Sequence, residues 1–204
     1  MKVLLINGSP RKDGNTARAL NEVASALNAE GVETEIVNLG TKPVQGCISC
    51  YRCRELKRCA LNDDLYNAVR SKLETADGLI VGTPVYYASP NGSLIALLDR
   101  LFFSSKKHLL YKPAAAVAVC RRGGATAALD CLNKYFTISN MPVVPSQYWN
   151  IIHGFVPGEV AQDAEGLQTM RTLGRNMAWM LRMIEKAGAE LPQREAPLST
   201  NFIR

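Results

Sequence analysis

The sequence contains no run of about 18 apolar residues, the length a helix needs to cross a bilayer, so no membrane span is expected. Its first apolar run ends at Ile6 and meets a Gly8-Ser9-Pro10 turn, too early for a secretory leader. A cytoplasmic chain is the expectation. Histidine is scarce, with 2 in 204 residues, and no Ser–His–Asp set or paired carboxylates are evident. Neither G-x-x-x-x-G-K-[ST] nor G-x-G-x-x-G follows the first apolar segment, which argues against a Walker-type or dinucleotide loop there. Repeats and low-complexity stretches are also missing. Clustered positive charge is lacking too. The net charge is +6, yet basic residues appear only in short pairs such as Arg11-Lys12, Lys106-Lys107 and Arg121-Arg122. No nucleic-acid partner is expected from so dispersed a pattern.

What is present is regular alternation. Residues 2–7 form a short apolar strand, and 15–29 carry apolar side chains at Ala19, Val23, Ala26 and Leu27, which is helical spacing. Residues 33–39 read as a strand, 62–73 as a helix capped by Asn62-Asp63-Asp64, and 78–83 as a third strand. A helix at 91–103, a strand at 114–119 and a helix at 125–138 follow. A fifth strand opens at Val143-Val144 and extends toward Trp149; one long helix spans 159–188. Near-continuous apolar strands alternating with helices predict an α/β domain over 1–188. Its doubly wound, five-stranded parallel sheet has order 2-1-3-4-5 and helices on both faces. Residues 189–204 are expected to be an extended tail.

Ligands of such a sheet sit beyond the carboxyl ends of its strands, where strand order reverses. Three loops qualify. The first, Gly8 to Thr16, opens a helix, so unpaired backbone N–H groups and the helix dipole favour an anion. Ser9, Asn15 and Thr16 add short polar groups and Arg11 a charge; a single phosphate fits, and a polar turn with an N-cap is the plainer reading. The second loop offers Thr83, Pro84, Val85, Tyr86, Tyr87, Asn91 and Gly92, a stiff backbone with two aromatics suited to a flat ring. One tyrosine in the core and one on the surface is the alternative. The third, Arg121-Arg122-Gly123-Gly124, allows close backbone approach and brings positive charge, or is simply an exposed basic turn.

With these loops in place the sequence resembles the flavodoxin-like NAD(P)H-dependent FMN reductases and their iron–sulfur flavoprotein relatives. The resemblance is carried by INGSPRKDGNT, GCISCYRCRELKRCALNDD, GTPVYYASPNGSLIALLDR, the CRRGG turn and NKYFTISNMPVVPSQYWNIIHG. It implies an FMN phosphate held by Ser9, Arg11, Asn15 and Thr16. It implies a flavin ring against Pro84, Val85, Tyr86 and Tyr87, with Asn91 and Gly92 close by and further contacts from Arg121, Arg122, Gly123 and Gly124. It further implies hydride transfer from NAD(P)H and reduction of a quinone, a flavin or another small acceptor, or of a redox protein. Tyr86 and Tyr87 would shape the stacking site, and the chain would form a homodimer or higher oligomer. A flavin electron carrier that does not itself oxidise NAD(P)H is the alternative.

Of 6 cysteines, Cys47, Cys50, Cys53 and Cys59 fall in one loop, 40–62, as C-x2-C-x2-C-x5-C. Four thiolates so close can hold a [4Fe–4S] cluster or a zinc ion, or serve as redox-active thiols. The last gap is longer than in bacterial ferredoxins, and Ala60 stands where they have proline. All three readings stay open. Cys120 and Cys131 read as packing residues, as do Met177, Trp179, Met180 and Met183 on the last helix, against the core or a second subunit. Asp99 beside Arg100 reads as a structural ion pair or an interface contact, and His153 as a residue that ties down a loop, with proton transfer at the ligand pocket the alternative.

Overall fold

The computed structural model describes residues 1–196, 198 and 200. Strand β1 (Lys2–Asn7) leads into helix α1 (Asn15–Ala29) and β2 (Glu33–Asn38). A single turn, α2 (Cys53–Leu56), interrupts the cysteine loop before α3 (Asp64–Thr75). Then come β3 (Gly78–Tyr86), its hairpin partner β4 (Ser89–Pro90), α4 (Gly92–Ser104), β5 (Ala114–Cys120) and α5 (Ala125–Ile138). Strand β6 (Ile151–His153) and helix α6 (Ala164–Ala187) complete the order. The parallel strands lie as β2-β1-β3-β5-β6, with the short antiparallel β4 attached to β3. Leaving β4 aside, this is the expected 2-1-3-4-5 order.

Why these segments are near-continuous apolar runs is visible in the packing. Successive side chains of a strand point to opposite faces, and here both faces are covered. Leu4 and Ile6, Leu79 and Val81, and Ala114, Ala116 and Ala118 enter one core with Val69, Leu98 and Phe136. Val3 and Leu5, Ile80, and Ala115, Val117 and Val119 enter the other with Leu20, Val23, Leu173 and Met177. Helices α3, α4 and α5 therefore cover one face, and α1 with α6 the other.

Three expectations need correction. The fifth strand is β6 at Ile151–His153, not a strand from 143 toward 149. Val143 makes only an isolated bridge to Ala114, and the chain leaves the sheet after Val144, whose amide donates to the Ala114 carbonyl. It rejoins where Ala118 donates to the Asn150 carbonyl. The long last helix is two elements, a 3-10 turn over Glu159–Gln162 and α6 from Ala164. Asp163 separates them and accepts a hydrogen bond from the Gly166 amide, an N-cap overlooked in the periodicity. Strand β3 also runs through Pro84 to Tyr86, where a loop was expected. Helix α6 ends at Ala187; residues 189–196, 198 and 200 have no helix or strand, and the remainder of the expected tail lies outside the described residues.

Helices α1 and α6 approach closely because position 174 has no side chain. A Cβ there would stand 2.7 Å from the Ala26 Cβ and 2.8 Å from the Val23 carbonyl oxygen. Replacing glycine by alanine inside a helix ordinarily gains about 1 kcal/mol. Here the backbone contact outweighs that gain, so Gly174→Ala should lose about 1 kcal/mol or more on urea unfolding. An unchanged or raised midpoint would show that the two helices separate at no cost.

Candidate functional site

The loop after β1 is pressed against the end of β3. The Gly8 amide donates to the Gly82 carbonyl at 2.8 Å, and the Ser9 amide donates to Asn7 Oδ1 at 3.1 Å. Asn7 is itself held by Asn38 on β2. Ser9 Oγ accepts from the Arg11 amide, which curls the loop so that α1 starts above the sheet edge. At that start Gly14 is the N-cap, no side chain caps it, and the first turn has no acidic residue. Its leading amides and the positive end of the dipole are left for an anion. Ser9, Arg11, Gly14, Asn15 and Thr16 line a hollow of about 320 Å³. That volume lies at the lower end of the range for small-molecule sites.

The opposite walls come from three further strand ends. Pro84, Val85 and Tyr86 close one side; Val119, Cys120 and Arg121 close a second; Gly154, Phe155 and Pro157, after β6, close the third. The Arg121 guanidinium lies 5.1 Å from the centre of the Phe155 ring. Burial pushes the Cys120 thiol up, so it contributes a neutral wall. Asn15 braces the last wall: its Nδ2 donates to the Val156 carbonyl at 3.0 Å and its Oδ1 accepts from the Gly158 amide at 2.9 Å. Glu159 accepts from the Phe155 and Val156 amides, and these hydrogen bonds hold its carboxyl below the usual range.

A second feature lies on the α3–α4 face. Cys47, Cys50, Cys53 and Cys59 all line one small space of about 20 Å³, walled by Ile48, Tyr51, Leu61 and Phe103. Burial raises the Cys53 thiol above its ordinary value, and the three neighbouring thiols push the same way. Among the described residues, no three Cys, His, Asp or Glu side chains converge on a single ion. Zinc requires that convergence; a four-iron cluster does not, because each thiolate takes its own iron. Four thiol donors around one space suit a [4Fe–4S] cluster chemically. The space is close to that of one water, so a cluster requires the exposed limb with Cys47 and Cys50 to stand further out.

The family model described as NADPH-dependent FMN reductase matches residues 1–155. The chain belongs to this family. Among its relatives is an iron–sulfur flavoprotein of Methanocaldococcus jannaschii, 34% identical over 194 residues, spanning 91% of this chain and 100% of that one. An NADPH azoreductase of a Bacillus species is 28% identical over 170 residues, spanning 82% and 86%. The solved structure of RosB, with bound 8-demethyl-8-formylriboflavin-5'-phosphate, superposes with a TM-score of 0.71 at 17% identity, covering 100% of this chain and 94% of that one. At that identity the likeness shows the flavodoxin-like fold. Membership makes the protein a flavin-dependent oxidoreductase, and no helix among the described residues is long and apolar enough to cross a membrane.

For this FMN reductase relative, the expected residues do not all converge. Ser9, Arg11, Asn15, Thr16, Pro84, Val85, Tyr86 and Arg121 share the hollow; Tyr87, Asn91, Gly92, Arg122, Gly123 and Gly124 do not line it. Tyr87 is 103% exposed at the hairpin tip, where it and Ala88 both have positive φ, 48° and 58°. Neither tyrosine belongs to the core. Gly124 serves the hairpin, since a Cβ there would meet the Ala88 Cα at 2.7 Å. Arg122, Gly123 and Gly124 line an adjoining hollow of about 340 Å³ with Tyr148, Trp149 and His153. The 154–157 wall was missed. Its glycine and proline were legible as a loop, but a fifth strand placed too early hid that they follow a strand end. Arg100 was also misread: it pairs with Asp63 rather than Asp99, which instead accepts from the Tyr135 hydroxyl.

Asn91 holds the loops together from below. Its Nδ2 donates to the Gly8 carbonyl at 2.8 Å, its Oδ1 accepts from the Ser93 amide at 2.9 Å, and its own amide donates to Thr83 Oγ1 at 3.0 Å. Asn91→Ala removes a helix cap and a buried hydrogen bond, so a loss of about 2–3 kcal/mol in urea unfolding is expected, together with weaker flavin retention. Wild-type stability and flavin content in this variant would remove Asn91 from the account.

Proposed function

We propose that the hollow at the strand ends holds FMN and that the protein takes hydride from NAD(P)H and passes the electrons to a small acceptor such as a quinone or a flavin. The observation that carries this reading is the uncapped start of α1, opening on a hollow walled by the ends of β1, β3, β5 and β6. In this reading the leading amides of α1, with Ser9, Thr16 and Arg11, hold the phosphate. Asn15 acts through the 155–158 loop, since its side chain is already spent there. Pro84, Val85 and Tyr86 give the ring a flat wall, and Arg121 favours negative charge on it. When bound, FMN supplies the hydride chemistry; the protein's part is to orient it and shape its field. Arg122, Gly123 and Gly124 face the next hollow, beside Trp149, where a second ligand can approach.

The exposed aromatics Tyr86, Tyr87, Trp149 and Phe155 around these hollows are the kind of apolar rim that a second copy covers, which supports a homodimer or higher oligomer. The four cysteines around one space support a [4Fe–4S] cluster as an electron relay. The same cysteines favour a second reading, a flavin and cluster carrier supplied by a redox protein rather than by NAD(P)H.

Stopped-flow mixing under anaerobic conditions separates the two. Rapid bleaching of the flavin near 450 nm (an approximate wavelength general to flavins) on adding NADPH or NADH is the expected result. A flavin that neither nucleotide bleaches, but dithionite does, would replace the reductase reading with the carrier.

A further inference from the structure

Among the described residues, one charged side chain is completely buried and does not line the strand-end hollow. Arg100, on α4, has 0% side-chain exposure, although an unpaired buried guanidinium is among the costliest groups a protein can hold. Every hydrogen-bond or ion-pair partner of its guanidinium belongs to the cysteine loop or its immediate exit. Nε donates to Cys59 Sγ at 3.4 Å, Nη1 to the Gln45 carbonyl at 3.3 Å and Nη2 to the Leu61 carbonyl at 2.7 Å. Nη2 also pairs with Asp63 Oδ2 at 2.5 Å, and the guanidinium lies 4.8 Å from the centre of the Tyr66 ring. Gln45 precedes the first cysteine of the group and Leu61 follows the last, so the fork joins the two ends of the loop. Cys59 is held a second time, its amide donating to the Tyr66 hydroxyl at 3.0 Å. That hydroxyl is in turn fixed by Ser104 and Ser105 at the end of α4. Cys59 is buried, whereas Cys47 and Cys50 are exposed.

We propose that Arg100 is the positioning residue of the four-cysteine site: it fixes Cys59 as the anchored ligand, clasps both ends of the loop that presents the other three thiols, and sets its positive charge against the bound cluster. This rests on the reading of the cysteines as a cluster site. A purely structural buried arginine also needs acceptors for its N–H donors, but those need not include a cysteine sulfur or both ends of the cysteine loop. Hydrogen bonds and positive charge beside a cluster sulfur stabilise the more negative, reduced cluster, so they raise its reduction potential. A planar five-donor fork makes all of these contacts together; an ammonium cannot.

The test uses the full chain, reconstituted anaerobically with ferrous iron, sulfide and FMN, as wild type, Arg100→Gln and Arg100→Lys. Iron per FMN, the rate of cluster bleaching by EDTA and the midpoint potentials of cluster and flavin are read. Arg100→Gln should keep its FMN, lose its cluster to EDTA about tenfold faster or more, and show a lower cluster potential with the flavin potential unmoved. Arg100→Lys should keep a potential near wild type while still bleaching faster. A Gln variant with wild-type rate and potential overturns the proposal. Should that variant not fold, a Lys variant that bleaches at the wild-type rate overturns it equally. Wild-type protein that retains FMN but takes up no iron overturns the cluster reading itself, and this inference with it, while leaving the flavin site standing.

Discussion

The structure depends on how closely the loop after β1 can approach the end of β3. Those strands are neighbours, and the loop must turn off the sheet without being pushed from it. A Cβ at position 8 would lie 2.5 Å from Leu94 Cδ2 and 2.8 Å from the Gly82 carbonyl oxygen. At position 82 it would lie 2.9 Å from Leu20. With both positions bare, the Gly8 amide reaches the Gly82 carbonyl and Asn91 reaches the Gly8 carbonyl from beneath. The start of α1 is thereby fixed over the strand ends. Its amides, left without a side-chain cap, are held over the hollow, where the proposed phosphate would sit.

Helix α4 links this arrangement to the cysteine loop. Its N-cap, Asn91, is bonded to the loop after β1, and Arg100 stands nine residues further on, about 14 Å along the axis at the rise of an α-helix. One end of a rigid element thus braces the hollow and the other end clasps the loop that bears four thiols. The helix can do both because Leu94, Leu97, Leu98 and Leu101 bury its length in the core. That burial offsets the cost of enclosing an ionised arginine that Asp63 pairs and carbonyls satisfy.

Sheet order, the two-faced core and the loop that opens α1 were all legible, because apolar periodicity and helix-start signals are local. What misled were long-range partners. The pairing at Val143 stops at a single bridge to Ala114, which only the position of β5 reveals, and the shift concealed Gly154, Phe155 and Pro157 as a wall. Asn15 and Asn91 looked like ligand contacts, yet their side chains bond to carbonyls and amides more than 80 residues away, at Val156, Gly158 and Gly8. Gly124 looked like a close approach to a ligand and is instead a close approach to Ala88. Arg100 sits next to Asp99 in sequence, but its partners lie far upstream, from Gln45 to Asp63, and nothing in the local pattern names them.

The central claim is that the amides at the start of α1 and Arg11 grip a phosphate monoester. Calorimetric titration of the flavin-free protein with FMN and with riboflavin tests it directly, since the two share a ring and differ in that group. Two charge-assisted hydrogen bonds at about 1.5–3 kcal/mol each predict that FMN binds at least about 100-fold more tightly. Equal affinity for the two would contradict the account.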